Sequence, residues 1–328
     1  MAALLLRLLG RIACALPVAA ALRLGERLGG FWFRVVRIRR GTAIRQLRET
    51  FPSWSAAEAR ETARRLYRNL GRWAVEFLRL VGPAKTRAEI LGRVAVEGVE
   101  AYDEAAARGG GAIVVTAHLG NWDLAACTQA LAGRKLTLLS RNLSNRGLDR
   151  FWMERRRASG LTIVDELTRI DELARIVREG GTLVLIADQA TARGLGGVQL
   201  DFLGRPAWTT RLPALLALRT GAPIFPVFVD SSADRRHVIR VEAPLVPPPG
   251  PAPVRERALA LTREINDRLE RRIRTCPDQW LWLHRRWKEF PSARPRDESA
   301  DASPPDPPSY PNSASNSRSS SSSRSTPG

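Results

Sequence analysis

Two residues five positions apart, His118 and Asp123, have the types and spacing that acid–base chemistry needs. His118 is one of three histidines in the chain and directly follows the apolar run "AIVVTA". A turn at Gly120 would carry Asp123 back toward the imidazole, and a carboxylate bonded to one ring nitrogen makes the other nitrogen a better base. The same spacing also suits a histidine that ends a strand beside an acid that favours a helix start. Both interpretations stay open from these residues alone.

The segments around this pair predict the elements that must position it. Short apolar runs, "GAIVVTAH", "KLTLLS", "LTIVD", "TLVLIAD" and "PIFPVFVD", alternate with helical patterns. This alternation predicts an α/β fold, with a mostly parallel central sheet flanked by helices at 94–290 and a helical lead-in at 41–93. Residues 189–208 are rich in glycine and predict a loop. Residues 291–328 are rich in serine and proline and predict a disordered tail.

The composition indicates an anionic partner. The formal charge is +19 and the pI is about 11.4, which fits nucleic acid, an anionic membrane or an acidic carrier protein. The basic residues are spread along the chain, and no zinc finger or RNP-like aromatic motif appears, which disfavours nucleic acid. Cys14, Cys127 and Cys276 are scattered and form no C-x-x-C, so the chain is expected to face a reducing compartment.

Residues 1–40 predict a pair of membrane-surface helices broken near Pro17. Arg7 and Arg11 interrupt the apolar stretch, and the longest uncharged run, Ile12 to Leu22, is too short to cross a hydrocarbon core of roughly 30 Å. The apolar faces would enter the lipid and the arginines would meet head groups. A secretory signal, a single span and an ordinary set of core helices are the alternatives.

Several motifs, in order along the chain, resemble those of one family. "HLGNWD" resembles the H-x4-D/E motif of the glycerolipid acyltransferase superfamily, and its context is similar to the lipid A biosynthesis branch, the lauroyl/myristoyl acyltransferases. "RNLSNRGLDRFWMERRR", "IADQ", "LDFLGRPAWTTRLPALLALRTGAPIFPVF" and "PDQWLWLHRRWK" resemble further stretches of that branch. The resemblance covers about residues 4–290, which makes 41–290 the expected acyltransferase domain.

The resemblance implies a membrane-associated acyltransferase at the cytoplasmic face of the bacterial inner membrane. It would move a fatty acyl chain from acyl-acyl-carrier protein to a hydroxyl of a lipid A precursor, with no cofactor beyond the phosphopantetheine arm of the carrier. His118 would be the general base and Asp123 the acid that orients it. Another glycolipid acceptor, such as phosphatidylinositol mannoside, fits the same chemistry. A nucleic-acid-binding protein and a scaffold without catalysis are the remaining alternatives.

Five more residues are predicted to bind substrate at the carboxyl ends of the strands. Gly120 and Asn121 would supply oxyanion donors at a helix start. Arg141 and Arg156 would bind a phosphate of the glycolipid or of the carrier arm, and each is alternatively a surface residue. Asp188 would orient the arginines or the substrate, or only cap a loop. No second histidine lies at ligand spacing, so no metal site is predicted.

Overall fold

A computed structural model describes residues 2–232, 234–247 and 249–290, so the predicted tail at 291–328 lies outside the described residues. The strands, in chain order, are β1 (Val94–Glu97), β2 (Ala112–Thr116), β3 (Leu136–Ser140), β4 (Thr162–Asp165), β5 (Thr182–Ile186), β6 (Val198–Phe202), β7 (Arg205–Thr209), β8 (Ile224–Ser231) and β9 (His237–Val241). Seven of them form one sheet in the order β1-β9-β8-β2-β5-β3-β4. All neighbours in this sheet are parallel except β8 and β9. The predicted α/β class is confirmed.

Eleven α-helices precede, connect and follow these strands within the described residues. They are α1 (Ala2–Ala15), α2 (Val18–Phe31), α3 (Arg40–Thr50), α4 (Ala56–Leu80), α5 (Ala84–Leu91), α6 (Glu100–Ala107), α7 (Trp122–Leu131), α8 (Arg146–Ala158), α9 (Ile170–Arg178), α10 (Leu212–Thr220) and α11 (Val254–Thr275). A single turn of π-helix, Trp32–Val36, joins α2 toward α3. The start of α4 has a capping box, in which Ser55 and Glu58 each satisfy the other's backbone N–H.

The two faces of the sheet bury different cores, and β2 shows why. Its residues are almost all buried, with Ile113 and Val115 in the core shared with α9, α10 and α11. Ala112 and Val114 point the other way, into the core shared with α6 and α7. A strand covered on both sides reads as a continuous apolar run rather than an alternating one, as "AIVVT" does.

One sequence prediction about the fold was wrong. The segment 189–208, expected to be a loop, contains the antiparallel hairpin of β6 and β7. Phe202 pairs with Arg205, which leaves a two-residue turn of Leu203 and Gly204, and both have positive φ, at 54° and 80°. Hairpins with two-residue loops favour this backbone because it matches the strand twist. Leucine seldom adopts positive φ, so the turn carried little local signal.

The N-terminal helices pack tightly on α4. Gly25 and Gly29 of α2 face Gly71 of α4 at very short range. A Cβ added to any of the three would lie too close to a backbone oxygen of the other helix, at 2.6 Å for Gly25, 2.0 Å for Gly29 and 2.2 Å for Gly71. Only glycine permits two helix backbones to approach this closely. α1 ends before Pro17 and α2 begins after it, as expected. Within the described part of the chain, no helix combines the length and apolar character needed to cross a membrane.

Candidate active site

His118 is bonded to Asp188 at the carboxyl edge of the sheet. Its Nδ1 lies 2.8 Å from Asp188 Oδ1, and its backbone N–H donates to Asp188 Oδ2 at 3.0 Å. The parallel pairing of β2 with β5 places Thr116 opposite Ile186. Two residues beyond this pair, His118 and Asp188 therefore leave neighbouring strands side by side. The strand register thus creates the pair from residues 70 positions apart.

Asp188 is buried, with 2% of its surface exposed. Its Oδ2 also accepts a hydrogen bond from the Trp280 indole at 2.6 Å. Burial would raise the pKa of this carboxyl, but the charge of His118 and the bonds from His118 and Trp280 outweigh burial and hold the pKa at about 2. The carboxylate is therefore ionised at neutral pH. It holds a proton on Nδ1 of His118 and leaves the lone pair on Nε2.

His118 is the member of this pair that a substrate can reach. Its side chain is 18% exposed, and its ring centroid lies 5.0 Å from that of Trp122 in an edge-to-face contact. The Gln189 amide nitrogen is 3.3 Å from Nδ1 and 3.4 Å from Nε2 of His118. Packing from both residues fixes the ring plane. This arrangement suits a general base.

Asp123 does not orient His118, contrary to the sequence prediction. Its Oδ1 accepts from Arg156 Nε at 2.6 Å, and its Oδ2 accepts from the Trp152 indole at 2.9 Å. Both partners lie on α8, because the first turn of α7 turns the carboxylate toward that helix rather than toward the strand end. Arg156 also donates to Ser140 at 3.2 Å. The H-x4-D pair is therefore split between two separate ion pairs.

The structure shows how Gly120 and Asn121 are bonded, while an oxyanion role for the Asn121 N–H stays a prediction. The Gly120 N–H, expected to stabilise an oxyanion, donates to the Gln279 carbonyl at 3.0 Å. Gly120 has φ of 61°, and an added Cβ would lie 2.1 Å from the Val229 carbonyl oxygen, so glycine is required by the backbone. The Asn121 side chain is buried, caps α7 at Leu124 N and donates to Glu76 at 2.9 Å. Both residues shape the loop that presents His118.

The two predicted arginines differ in accessibility. Arg156 is 8% exposed, and its Nε donates to Asp123, so a phosphate-binding role for it stays a prediction. Arg141 follows β3 on the same edge as His118 and Asp188. Its side chain is 75% exposed and pairs with Glu166 at 3.2 Å. A phosphate-binding role for Arg141 stays a prediction.

The C-terminal segment supplies a residue, Trp280, that was not among the predicted site residues. Leu119 and Trp280 form an antiparallel bridge, and the Leu281 N–H donates to the His118 carbonyl at 3.0 Å. This pairing brings the Trp280 indole to Asp188. Burial chiefly lowers the pKa of the neighbouring His284 to about 4, so this second imidazole is uncharged at neutral pH. A run of tryptophans gives no sign of which indole will bond a carboxylate, so only the tertiary pairing reveals Trp280.

A narrow apolar cavity of about 70 Å³ begins beside the site. Thr116, two residues before His118 on the same face of β2, lines it, and so does Trp122. It continues beneath α7 past Val114 to Tyr102 and Leu136. Leu136 is the first residue of β3, so the cavity runs from the carboxyl edge of the sheet toward its amino edge. Its lining is almost entirely apolar, as in sites that bind hydrocarbon groups.

Comparison with known proteins defines the class to which this fold and site belong. The family described as bacterial lipid A biosynthesis acyltransferase matches residues 2–289. The chain therefore belongs to that family, and the resemblance inferred from its motifs is confirmed.

Individual relatives are more distant. The chain is 29% identical over 183 residues to a phosphatidylinositol mannoside acyltransferase of Mycolicibacterium smegmatis, covering 55% of this chain and 57% of the relative. It is 27% identical over 204 residues to the protein of the same name from Mycobacterium tuberculosis strain H37Rv, covering 61% of each. It thus spans less than two thirds of these relatives. Among solved structures, the 1-acyl-sn-glycerophosphate acyltransferase PlsC from Thermotoga maritima matches 79% of this chain and 97% of its own, with TM-score 0.36 and 15% identity.

Proposed function

We propose that this protein transfers a fatty acyl chain from a thioester donor to a hydroxyl of a membrane glycolipid, with His118 Nε2 as general base. The observation that carries the proposal is the His118–Asp188 pair, in which an ionised, buried carboxylate faces Nδ1 of a partly exposed imidazole, so that the Nε2 lone pair can take a proton. Family membership supplies the reaction class. Asp188, rather than Asp123, is the orienting acid in this proposal.

The reaction balances without a covalent enzyme intermediate. His118 Nε2 removes the proton of the acceptor hydroxyl as its oxygen attacks the thioester carbonyl. The tetrahedral intermediate then collapses, the C–S bond breaks, and the imidazolium returns its proton to the departing thiolate. Asp188 stabilises the imidazolium in between, because its carboxylate faces Nδ1. Cys127 and Cys276 do not enter as nucleophiles, since burial chiefly raises the pKa of each thiol to about 12.

The apolar cavity would receive the acyl chain. It starts at Trp122, which touches the His118 ring, so a thioester carbonyl at Nε2 would have its hydrocarbon tail at the cavity mouth. We infer acyl-acyl-carrier protein as the donor, with the phosphopantetheine thiol as leaving group, and acyl-coenzyme A carries the same arm. A donor competition with both thioesters distinguishes them.

Two acceptors have support from different comparisons. The family description favours a lipid A precursor, whereas the named relatives act on phosphatidylinositol mannoside. Both present a sugar hydroxyl beside phosphate and acyl chains. The two acceptors are therefore the first and second candidates for the same site.

Residues 1–40 would hold the enzyme on an anionic membrane surface, at the cytoplasmic face of the inner membrane. Leu4, Leu5 and Leu8 of α1 are 71%, 63% and 53% exposed, while Ala13 and Leu22 on the opposite side are buried with Val75 of α4. One face of the helix pair thus anchors it to the protein and the other meets lipid. Release of the protein from membranes without detergent or high salt would contradict this part of the proposal.

The experiment that tests the function uses the full-length protein with both labelled thioesters and three acceptors: a lipid A precursor, phosphatidylinositol mannoside and a lysophospholipid. We expect transfer to one glycolipid and its loss in His118→Ala. Transfer that persists in His118→Ala would remove the histidine from the mechanism. Transfer only to the lysophospholipid would show that the acceptor is a lysophospholipid and not a glycolipid.

The cavity assignment has its own test. Ala126 is half-buried and lines the cavity, whereas Ala132 lies exposed beyond the end of α7. We expect Ala126→Phe to shift the preferred donor to shorter acyl chains, because each methylene excluded from the cavity loses about 0.8 kcal/mol of burial. Ala132→Phe should leave the preference unchanged. The same chain-length profile in both variants would place the acyl chain elsewhere.

A further inference from the structure

A second concave site lies apart from the acyl-transfer site, on the outer face of α3. This groove of about 680 Å³ is lined by Arg37, Arg40, Arg45, Arg48 and Arg60, with Trp54 at one end and Glu49 beside it, and is here called the arginine groove. Arg40, Arg45 and Arg48 all belong to α3. Ala43, Gln46 and Leu47, on the opposite face of α3, are buried. The groove is thus the solvent face of a helix whose inner face is fixed in the core.

The charges in the arginine groove are poorly compensated. Glu49 is its single carboxylate, and it already accepts from Arg205 at 2.7 Å while lying 3.8 Å from Arg45. Among the residues that the structure describes, no carboxylate lies within ion-pair distance of Arg37, Arg40, Arg48 or Arg60. Several like charges held together at a concave surface attract an anion that can bind more than one of them.

The protein holds these guanidinium groups in place by its own contacts. Arg40 and Arg60 each lie 5.6 Å from the ring centre of the buried Phe33, and Arg37 donates to the Arg34 carbonyl at 2.9 Å. The backbone that leads into the groove is unusual. After the π-helix turn, Arg37 and Arg39 both adopt left-handed φ, of 61° and 62°. Such conformations are rare for residues with side chains and concentrate where function requires a particular arrangement.

The surroundings indicate where the anion comes from. Phe31, Val35 and Ile38, which lead into the groove, are 55%, 59% and 59% exposed, an apolar strip interleaved with the arginines. Trp54, at the end of the groove, is an amphipathic residue suited to a membrane interface. A soluble acidic protein would need no such apolar strip, whereas a bilayer presents phosphate directly above hydrocarbon.

We propose that the arginine groove binds the phosphate head group of a membrane phospholipid that is not a substrate. Arginine forks bind phosphate oxygens in pairs, and the exposed apolar strip beside them enters the outer hydrocarbon. The inference rests on the membrane-surface part of the proposed function and adds a specific phosphate site, formed where residues 1–40 lead into α3 and completed by Arg60 of α4.

The test measures binding of the full-length protein to vesicles of three compositions: phosphatidylcholine alone, phosphatidylcholine with phosphatidylglycerol, and phosphatidylcholine with oleate adjusted to equal surface charge. Wild-type protein should prefer phosphatidylglycerol to oleate. The triple variant R37Q/R40Q/R48Q should bind phosphatidylglycerol vesicles about 100-fold more weakly, at about fivefold for each arginine near the surface. It should also lose the preference for phosphate over carboxylate.

The matched control R255Q/R263Q/R271Q removes the same charge from the exposed side of α11, and its binding should change by less than about twofold. Equal losses in both triple variants, or a wild type that binds both anionic vesicles alike, would overturn the proposal. So would unchanged vesicle binding with a raised KM for acyl-carrier donor, which would make the groove a carrier dock. His118→Ala should bind vesicles as wild type does. Loss of its catalysis therefore reports on the acyl-transfer site and vesicle binding reports on the groove.

Discussion

Asp188 and Asp123 have closely similar surroundings and different tasks. Each carboxylate is almost completely buried, each accepts an indole N–H, from Trp280 and Trp152 respectively, and each faces one basic side chain. The difference is the base. Asp188 faces a partly exposed imidazole, whereas Asp123 faces the buried guanidinium of Arg156.

That difference separates a chemical site from a structural one. Burial would lower the pKa of Arg156, but the charge and hydrogen bond of Asp123 outweigh it and raise the pKa, so Arg156 keeps its charge and gives up no proton at any working pH. An imidazole can gain and lose a proton near neutrality. The acid of the H-x4-D motif thus joins α7 to α8, and the acid at the end of the neighbouring strand is bonded to His118.

The largest effect that this comparison predicts is on catalysis. His118→Ala should lower kcat/KM by about 1,000-fold, within the range for loss of a general base, as measured by initial rates of acyl transfer. The free energy of unfolding should change far less than the rate. A variant that unfolds at much lower denaturant concentration would instead show that His118 serves mainly to neutralise Asp188.

Replacing each carboxylate by its amide should have different effects at the two positions. Asp188→Asn should lower kcat by about 100-fold or more, because the imidazole loses its orienting anion. Asp123→Asn should mainly destabilise the fold, by about 3–5 kcal/mol, because it leaves the Arg156 charge buried without a partner. Urea unfolding and turnover per folded molecule measure both effects. If Asp123→Asn instead lost turnover and Asp188→Asn lost mainly stability, Asp123 would be the orienting acid.

Gly120 offers a smaller perturbation of the loop between the two pairs. Gly120→Ala combines positive φ with a clash against the Val229 carbonyl. It should therefore lower the free energy of unfolding by about twice the 1–2 kcal/mol expected for an alanine in left-handed conformation. It should also reduce kcat. Gly109 has φ of 72° and open space around its Cβ position, which makes Gly109→Ala the matched control. Equal destabilisation in both variants would mean that close approach to Val229 is unimportant.

The smallest effect concerns stability in acid. The pKa of Asp188 falls from the ordinary 3.8 to about 2, so its contribution to stability is complete above pH 4 and is lost as the pH falls from about 4 to about 2. Asp188→Asn should remove this part of the pH dependence of urea unfolding. If the free energy of unfolding of that variant still fell between pH 4 and pH 2 as steeply as in the wild type, the pKa of Asp188 would not be lowered in the folded protein.

The sequence predicted the catalytic edge better than the contacts along it. Strand runs before His118 and Asp188 placed both at carboxyl ends, and the structure keeps them there. The register of β2 with β5 was not readable, because parallel strands joined through other elements carry no local signal of which residues face each other. The hairpin at 198–209 was missed for a related reason, since its turn uses a leucine at positive φ.

By itself, the sequence determined the α/β class, the family, the histidine at a strand end and the break at Pro17, because hydrophobic periodicity, motif order and proline act locally. Only the tertiary structure decided that Asp188 rather than Asp123 faces His118, that Trp280 completes that site, and that five arginines form one groove. These pairings join residues far apart in the chain, and they are set by strand register and helix packing, which the spacing of residues along the chain does not encode.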